Sequence, residues 1–234
     1  MKLSDAKVLI TGGSSGIGYE TARQLKNHGA QVVICGRNRE RLEKSAHELG
    51  VHFFRADVAI EKDVEDLVAF TVKTLGGFNT LINNAAHGYF SMLTEIDTQR
   101  FNELLATNVT GAMLVARETA KHFIANNYGN IVNISSTAGK AGFAGGTAYV
   151  ASKFALAGMT ECWRAELRKH NIRVMLVNPS EVQTNFAQNS GREPKEFNPT
   201  KLQATEVAHT ILSMLQLNDV GFITEATIWA TNPK

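Results

Sequence analysis

Short, continuously apolar runs alternate with amphipathic stretches along nearly the whole chain. The run KVLITGG (7–13) reads as a strand ending in a glycine turn. In GIGYETARQLKNHG (16–29), Ile17, Thr21, Leu25 and His28 recur at helical spacing, and Gly29 supplies the stop. Further strands are predicted over 31–36, 51–58, 79–85, 129–136, 172–179 and 221–230. Between them the 3.6-residue period predicts helices over 38–50, 61–77, 148–170 and 205–216, and one long helix over 101–127.

Strands apolar on both faces need helices on both sides of the sheet, and strand–helix alternation implies parallel pairing with right-handed crossovers. The expectation is an α/β fold: a single doubly wound domain over residues 1–234, with a parallel seven-stranded sheet flanked by helices on both faces. No internal repeat, low-complexity tract or linker divides it. Residues 185–200 break the rhythm, being polar and holding two of the four prolines. They follow the carboxyl end of a strand, where open α/β sheets bind ligands, so a short substrate lid is expected there, with a plain surface loop as the alternative.

Bulk composition narrows the function classes. The 234 residues are 44% hydrophobic and 20% charged, with 24 Lys plus Arg against 22 Asp plus Glu and a net charge of +2. That balance argues against a nucleic-acid or membrane-surface partner. The start of the chain lacks the apolar core of a signal peptide, and no apolar run approaches the roughly 18 residues that span a bilayer. Cys35 and Cys162 have no paired spacing, and the seven histidines show no metal-ligand pattern. A cytoplasmic protein without a metal is expected.

Two corners of the first half carry candidate chemistry. TGGSSGIG (11–18) joins the first strand to the first helix. Gly12, Gly16 and Gly18 remove side chains where the backbone turns and approaches a pyrophosphate, and the helix presents its amino end to that anion. No Gly-Lys-Ser/Thr ending follows, which excludes a nucleoside-triphosphatase loop. At the end of the second strand, CGRNRER offers Arg37, Arg39 and Arg41 where a carboxylate would select NAD. A guanidinium there suits a 2′-phosphate, favouring NADP(H) over NAD(H); the alternative is a solvated helix face pairing with Glu40 and Glu43.

In AYVASK (148–153), Tyr149 and Lys153 lie four residues apart, so a helix puts them on one face. A free tyrosine has a pKa near 10, and a cation within about 4–6 Å lowers it. A solvated helix face would show the same spacing.

Taken together, T-G-x-x-x-G-x-G, the Asn83-Asn84-Ala85 stretch and Y-x-x-x-K resemble the short-chain dehydrogenase/reductase family, of the NADP(H)-dependent carbonyl or 3-oxoacyl reductase type. The resemblance covers essentially the whole chain and implies a Rossmann-type fold. It implies that Tyr149 is the general acid or base, that Lys153 lowers its pKa and holds the nicotinamide ribose, and that Ser136 bonds the substrate oxygen. Asn108 would anchor a water-linked proton path through Lys153. Gly12, Ser14, Ser15, Gly16, Ile17, Gly18 and Arg37 would hold the phosphates and Asp57 with Val58 the adenine. Asn84 and Ala85 would also line the cofactor site, with Pro179, Val182 and Thr184 near the nicotinamide. Ala86 and Ser180 replace glycines usual in the family, and Glu225 stands where a glycine is common.

The function implied is hydride transfer between NADP(H) and a small-molecule carbonyl or secondary alcohol, a ketone, an aldehyde or a 3-oxoacyl thioester. Two alternatives are an NAD-dependent alcohol dehydrogenase and a non-catalytic NADP(H)-binding sensor or scaffold. The segment before the fifth strand, ANNYGN (125–130), lacks the basic residues that an acidic acyl carrier would meet, although Arg164, Arg168, Lys169 and Arg173 cluster later. A 3-oxoacyl substrate is therefore not favoured over a small ketone or aldehyde; Phe186 and Phe197 hint at an apolar pocket. A homodimer or homotetramer is expected, packed through the two long helices of the second half.

Overall fold

The computed structural model describes residues 1–184, 186, 190 and 196–232. The first half contains β1 (Lys7–Thr11), α1 (Gly16–Asn27), β2 (Gln31–Gly36), α2 (Arg39–Leu49), β3 (His52–Arg55) and α3 (Glu61–Leu75). Asn38 starts α2 by accepting a bond from the Arg41 amide at 2.8 Å, and Gly50, at φ +62°, closes it. The second half contains β4 (Thr80–Asn83), α4 (Thr98–Leu105), α5 (Ala112–Ala125), β5 (Gly129–Ile134), α6 (Thr147–Leu167) and β6 (Ile172–Pro179). The two-residue strands β7 (Val182–Gln183) and β8 (Leu202–Gln203) pair with each other, and α7 (Ala204–Gln216) and β9 (Glu225–Ile228) complete the described elements.

β1 to β6 and β9 form one parallel sheet in the order β3–β2–β1–β4–β5–β6–β9. The period of two along each strand builds the layers. Val8 and Ile10 of β1 join Val32 and Ile34 of β2 against Ala22 and Leu25 of α1 and Val207 and Ile211 of α7. Leu9 and Val33 face the other way, toward Val64 and Leu67 of α3 and Leu114 and Phe123 of α5. Helices therefore cover both faces, as the unbroken apolar runs require. Exposed positions among the described strands of this sheet fall on the edge strands β3 and β9 and at Gln31, the first residue of β2.

Two details differ from the sequence expectation. His28 lies exposed beyond the end of α1, so the buried stripe ends at Leu25. The helix expected over 101–127 begins at Thr98 and is interrupted by a π-helical turn, Ala106–Gly111, between α4 and α5. The cause is tertiary: a Cβ at Gly111 would lie 3.0 Å from the Val58 carbonyl oxygen, and Asn108 is tied to another loop. The lid expected over 185–200 lies largely outside the described residues. Among the described residues no helix is long and apolar enough to cross a membrane.

The chain runs outward from β1 to β2 and β3, then returns to place β4 on the other side of β1. That reversal opens a crevice at the carboxyl ends of the strands, the general position of ligand sites in such sheets.

Candidate active site

The β1–β4 register sets Ile10 beside Ile82, so the ends of both strands meet at the crevice. The Thr11 hydroxyl oxygen accepts bonds from the Asn84 and Ala85 amides, both at 2.9 Å. The Asn84 side-chain amide donates back to the Thr11 carbonyl at 2.9 Å. The two loops are thus locked to each other before any ligand arrives.

The glycine turn is held in a form that side chains resist. Gly12 and Gly16 have φ of +66° and +55°. Ser15 precedes α1 without a side-chain cap bond, leaving the helix amides open toward the cleft that Ser14, Ser15, Gly16 and Ile17 line. Gly18 does not line the cleft; a Cβ there would meet the Gly12 carbonyl oxygen at 2.5 Å, so its role is to let α1 seat against the turn. Gly13, not singled out in the sequence, has the same need, since its Cβ would fall 2.6 Å from Ile34.

The cleft has a volume of about 1270 Å³ and runs along the strand ends from β2 toward β6. At the β2 end Arg37 and Arg41 line it, and among the described residues neither has an ion-pair partner. Arg39 instead pairs with Glu43 at 4.0 Å on the exposed face of α2. Asp57, Val58, Asn84 and Ala85 line the middle, and Pro179, Val182 and Thr184 the far end. These residues fit a dinucleotide: uncapped helix amides and unpaired guanidiniums for phosphates, with a long, partly apolar trough between them.

At the β5 end, three candidate residues converge. Lys153 is 3% exposed; its amine donates to the Ile134 carbonyl at 2.9 Å and lies 5.6 Å from the centre of the Tyr149 ring. Burial pulls its pKa down to about 8. Ser136 sits in extended backbone and its hydroxyl oxygen caps the short turn Thr137–Gly139, accepting from the Ala138 amide at 3.1 Å. Its O–H proton remains available to a ligand. Ser135 also lines the cleft, but it is buried and its hydroxyl donates to the Lys153 carbonyl at 3.3 Å, so its proton is already committed to the protein.

Asn108 does not reach the cleft. Its Oδ1 accepts the His87 amide at 3.0 Å, and its Nδ2 donates to the His87 carbonyl at 2.9 Å and to Ser152 Oγ at 3.1 Å. It joins the loop after β4 to α6, one residue before Lys153. His87 itself lines the cleft, and burial, followed by the Arg37 charge, lowers its pKa. A lone histidine after Asn-Ala-Ala gave no signal by itself. Phe90, Phe143 and Trp229 also line the cleft and come from three separate loops.

The basic cluster at the end of α6 lies elsewhere. Arg173 is buried, donating to Asn130 at 2.6 Å and to the Leu215 and Leu217 carbonyls at the end of α7. Arg168, nineteen residues beyond Tyr149, is about 28 Å farther along α6 and its extension. Phe197 is 75% exposed and away from the cleft.

The model of the short chain dehydrogenase family matches residues 6–195. The chain belongs to that family. As a short-chain dehydrogenase it is similar to an uncharacterized oxidoreductase of Bacillus subtilis (strain 168), YxnA, with 32% identity over 90% of this chain; the chain spans 63% of that protein's length. An alcohol dehydrogenase from the archaeon Thermococcus sibiricus, solved with 5-hydroxy-NADP, superposes with a TM-score of 0.88 at 25% identity, covering 98% of this chain and all of that one. A 3-ketoacyl-(acyl-carrier-protein) reductase from Brucella melitensis, solved with NADH, gives 0.88 at 26% identity over 97% of each chain. Both neighbours bind nicotinamide dinucleotides, one of each type.

Proposed function

We propose that this short-chain dehydrogenase is an NADP(H)-dependent oxidoreductase that interconverts a carbonyl group and an alcohol. The observation that carries the reading is the buried Lys153 amine 5.6 Å from the Tyr149 ring, on the same cleft wall as Ser136. Bound along the cleft, NADPH would supply one hydride to the carbonyl carbon while Tyr149 gives its proton to the oxygen, leaving NADP⁺ and an alcohol.

The chain's own part is acid–base and electrostatic. The Lys153 charge favours the phenolate form of Tyr149 and so makes its proton easier to give. The Ser136 hydroxyl donates to the substrate oxygen where negative charge develops. Asn108 positions this set by bonding His87 and Ser152 rather than by touching the reacting atoms. In the oxidation direction Tyr149 takes the alcohol proton.

Unpaired Arg37 at the β2 end supports NADP(H) over NAD(H), with Arg41 beside it. The reading includes one domain over 1–234 with a substrate lid at about 185–200, a cytoplasmic location and a homodimer or homotetramer. Phe154 on α6 and Ile124 on α5, 47% and 40% exposed, support the last by leaving apolar surface for a second copy. Replacing Tyr149 by Phe tests the reading: NADPH oxidation with a carbonyl substrate should fall at least about 1000-fold while NADPH affinity stays within a few-fold. Retained turnover would remove the mechanism.

A further inference from the structure

Four rings stand around the proposed proton donor's end of the cleft. Phe143, Phe90, Tyr149 and Phe186 form a continuous chain, with successive centroids 6.2, 5.4 and 5.5 Å apart and interplanar angles of 31°, 51° and 56°. Trp229, just after β9, lines the same cleft. Phe143 and Trp229 are 47% and 67% exposed. Large aromatic side chains left in water on the wall of a cleft form a surface that a ligand can cover. Tilted rings also offer a planar ligand both faces and edges, the arrangement that aromatic pairs prefer.

The charges at this end are already paired. Lys140 is held by Glu225, which also accepts a bond from Asn178. Glu181 pairs with Lys201 at 3.2 Å. Apart from Lys153, beneath Tyr149, no cation among the described residues lining this end lacks a carboxylate partner. Arg37 and Arg41 follow β2, three strand spacings or roughly 14 Å from the end of β5. A carboxylate or phosphate on the substrate would therefore lose water here without gaining a counter-charge.

We propose that the substrate is an uncharged aryl carbonyl compound, a ketone or aldehyde with the aromatic ring attached directly to the reacting carbon. This rests on the carbonyl–alcohol reading above. The ring lies among Phe90, Phe143, Phe186 and Trp229, while the carbonyl oxygen points to Tyr149 and Ser136. The chemistry is the same two-electron reduction: NADPH is oxidised, the carbonyl carbon gains the hydride and the oxygen gains the tyrosine proton, giving a benzylic alcohol.

The test compares acetophenone, cyclohexyl methyl ketone and phenylglyoxylate on the 234-residue chain with NADPH, with tryptophan emission as a second readout. Acetophenone should exceed its saturated counterpart in kcat/KM by about tenfold, the selectivity that one or two ring contacts supply. Phenylglyoxylate, which keeps the ring but adds a carboxylate, should fall below both. Phe143→Ala and Trp229→Ala should each shrink the aryl preference about threefold or more. Acetophenone should also quench tryptophan emission saturably, and Trp229→Phe should remove most of that quenching. Equal turnover of the ring and its saturated counterpart, or preference for the carboxylate, overturns the inference. No turnover of any carbonyl with quenching intact removes the reductase reading and keeps the aromatic subsite; loss of both removes both.

Discussion

Replacing Lys153 by Met isolates what the buried amine contributes. At 5.6 Å from the ring centre and an effective dielectric constant near 20, a unit charge stabilises a phenolate by about 3 kcal/mol. The pKa of Lys153 lies at about 8, so the amine is charged at neutral pH. Lys153→Met should lower kcat about 100-fold near pH 7 and move the alkaline limb of the pH–rate profile upward. Stability should move the opposite way. Between about 8 and 10.5 the unfolded lysine holds a proton that the folded one has released, so the parent protein gains stability as pH rises through that window. Below it, the cost of charging the buried amine is fully present, about 3 kcal/mol for the difference between 10.5 and 8. Methionine removes that cost and gives up one bond to the Ile134 carbonyl, worth about 1 kcal/mol. The variant should therefore melt no lower than the parent near pH 7 and lose that advantage above about pH 10. Steady-state NADPH oxidation across pH, with melting curves in the same buffers, checks both. Turnover within about threefold of the parent, with an unmoved profile, would leave Lys153 as a packing residue.

Two further substitutions probe separate parts of the site. Arg37→Asp should weaken NADP(H) about 10- to 100-fold relative to NAD(H), measured as a ratio of dissociation constants; an unchanged ratio would return Arg37 to the role of a solvated surface charge. Asn108→Ala leaves the His87 amide and carbonyl without partners inside the protein, a loss of about 2–3 kcal/mol. A fall in melting temperature of roughly 5–10 °C should result, with catalysis impaired through α6. A variant that melts like the parent would show that water replaces those bonds.

Much of the fold was legible because its determinants are local. A strand with Val8 and Ile10 on one face and Leu9 on the other reads as doubly covered from its residues alone. Asn38 and Gly50 mark the ends of α2 by their own backbone preferences. The glycine turn was legible for the same reason, though Gly18 serves helix packing and Gly13 serves contact with Ile34. What sequence spacing left out depends on residues far apart in the chain. The π-turn at Ala106–Gly111 arises where Asn108 meets His87 and Gly111 meets Val58. The choice of Arg37 and Arg41 over Arg39 depends on which face of α2 meets the cleft. The arginine at 173 looked like part of a surface patch, but α7 ends against it and buries it. The aromatic wall required three loops to meet, and nothing in the spacing of Phe90, Phe143 and Trp229 announces that.

The central claim is that this site moves a hydride onto a carbonyl carbon with Tyr149 as the proton donor. Transfer of label from NADPH deuterated at the reactive carbon of its nicotinamide tests it most directly, by mass spectrometry of the alcohol formed by the parent protein and by Tyr149→Phe. One deuterium should appear on the alcohol carbon for each NADPH consumed by the parent, and almost none with the variant despite normal cofactor binding. Unlabelled alcohol, or equal labelling by the two proteins, would contradict the account.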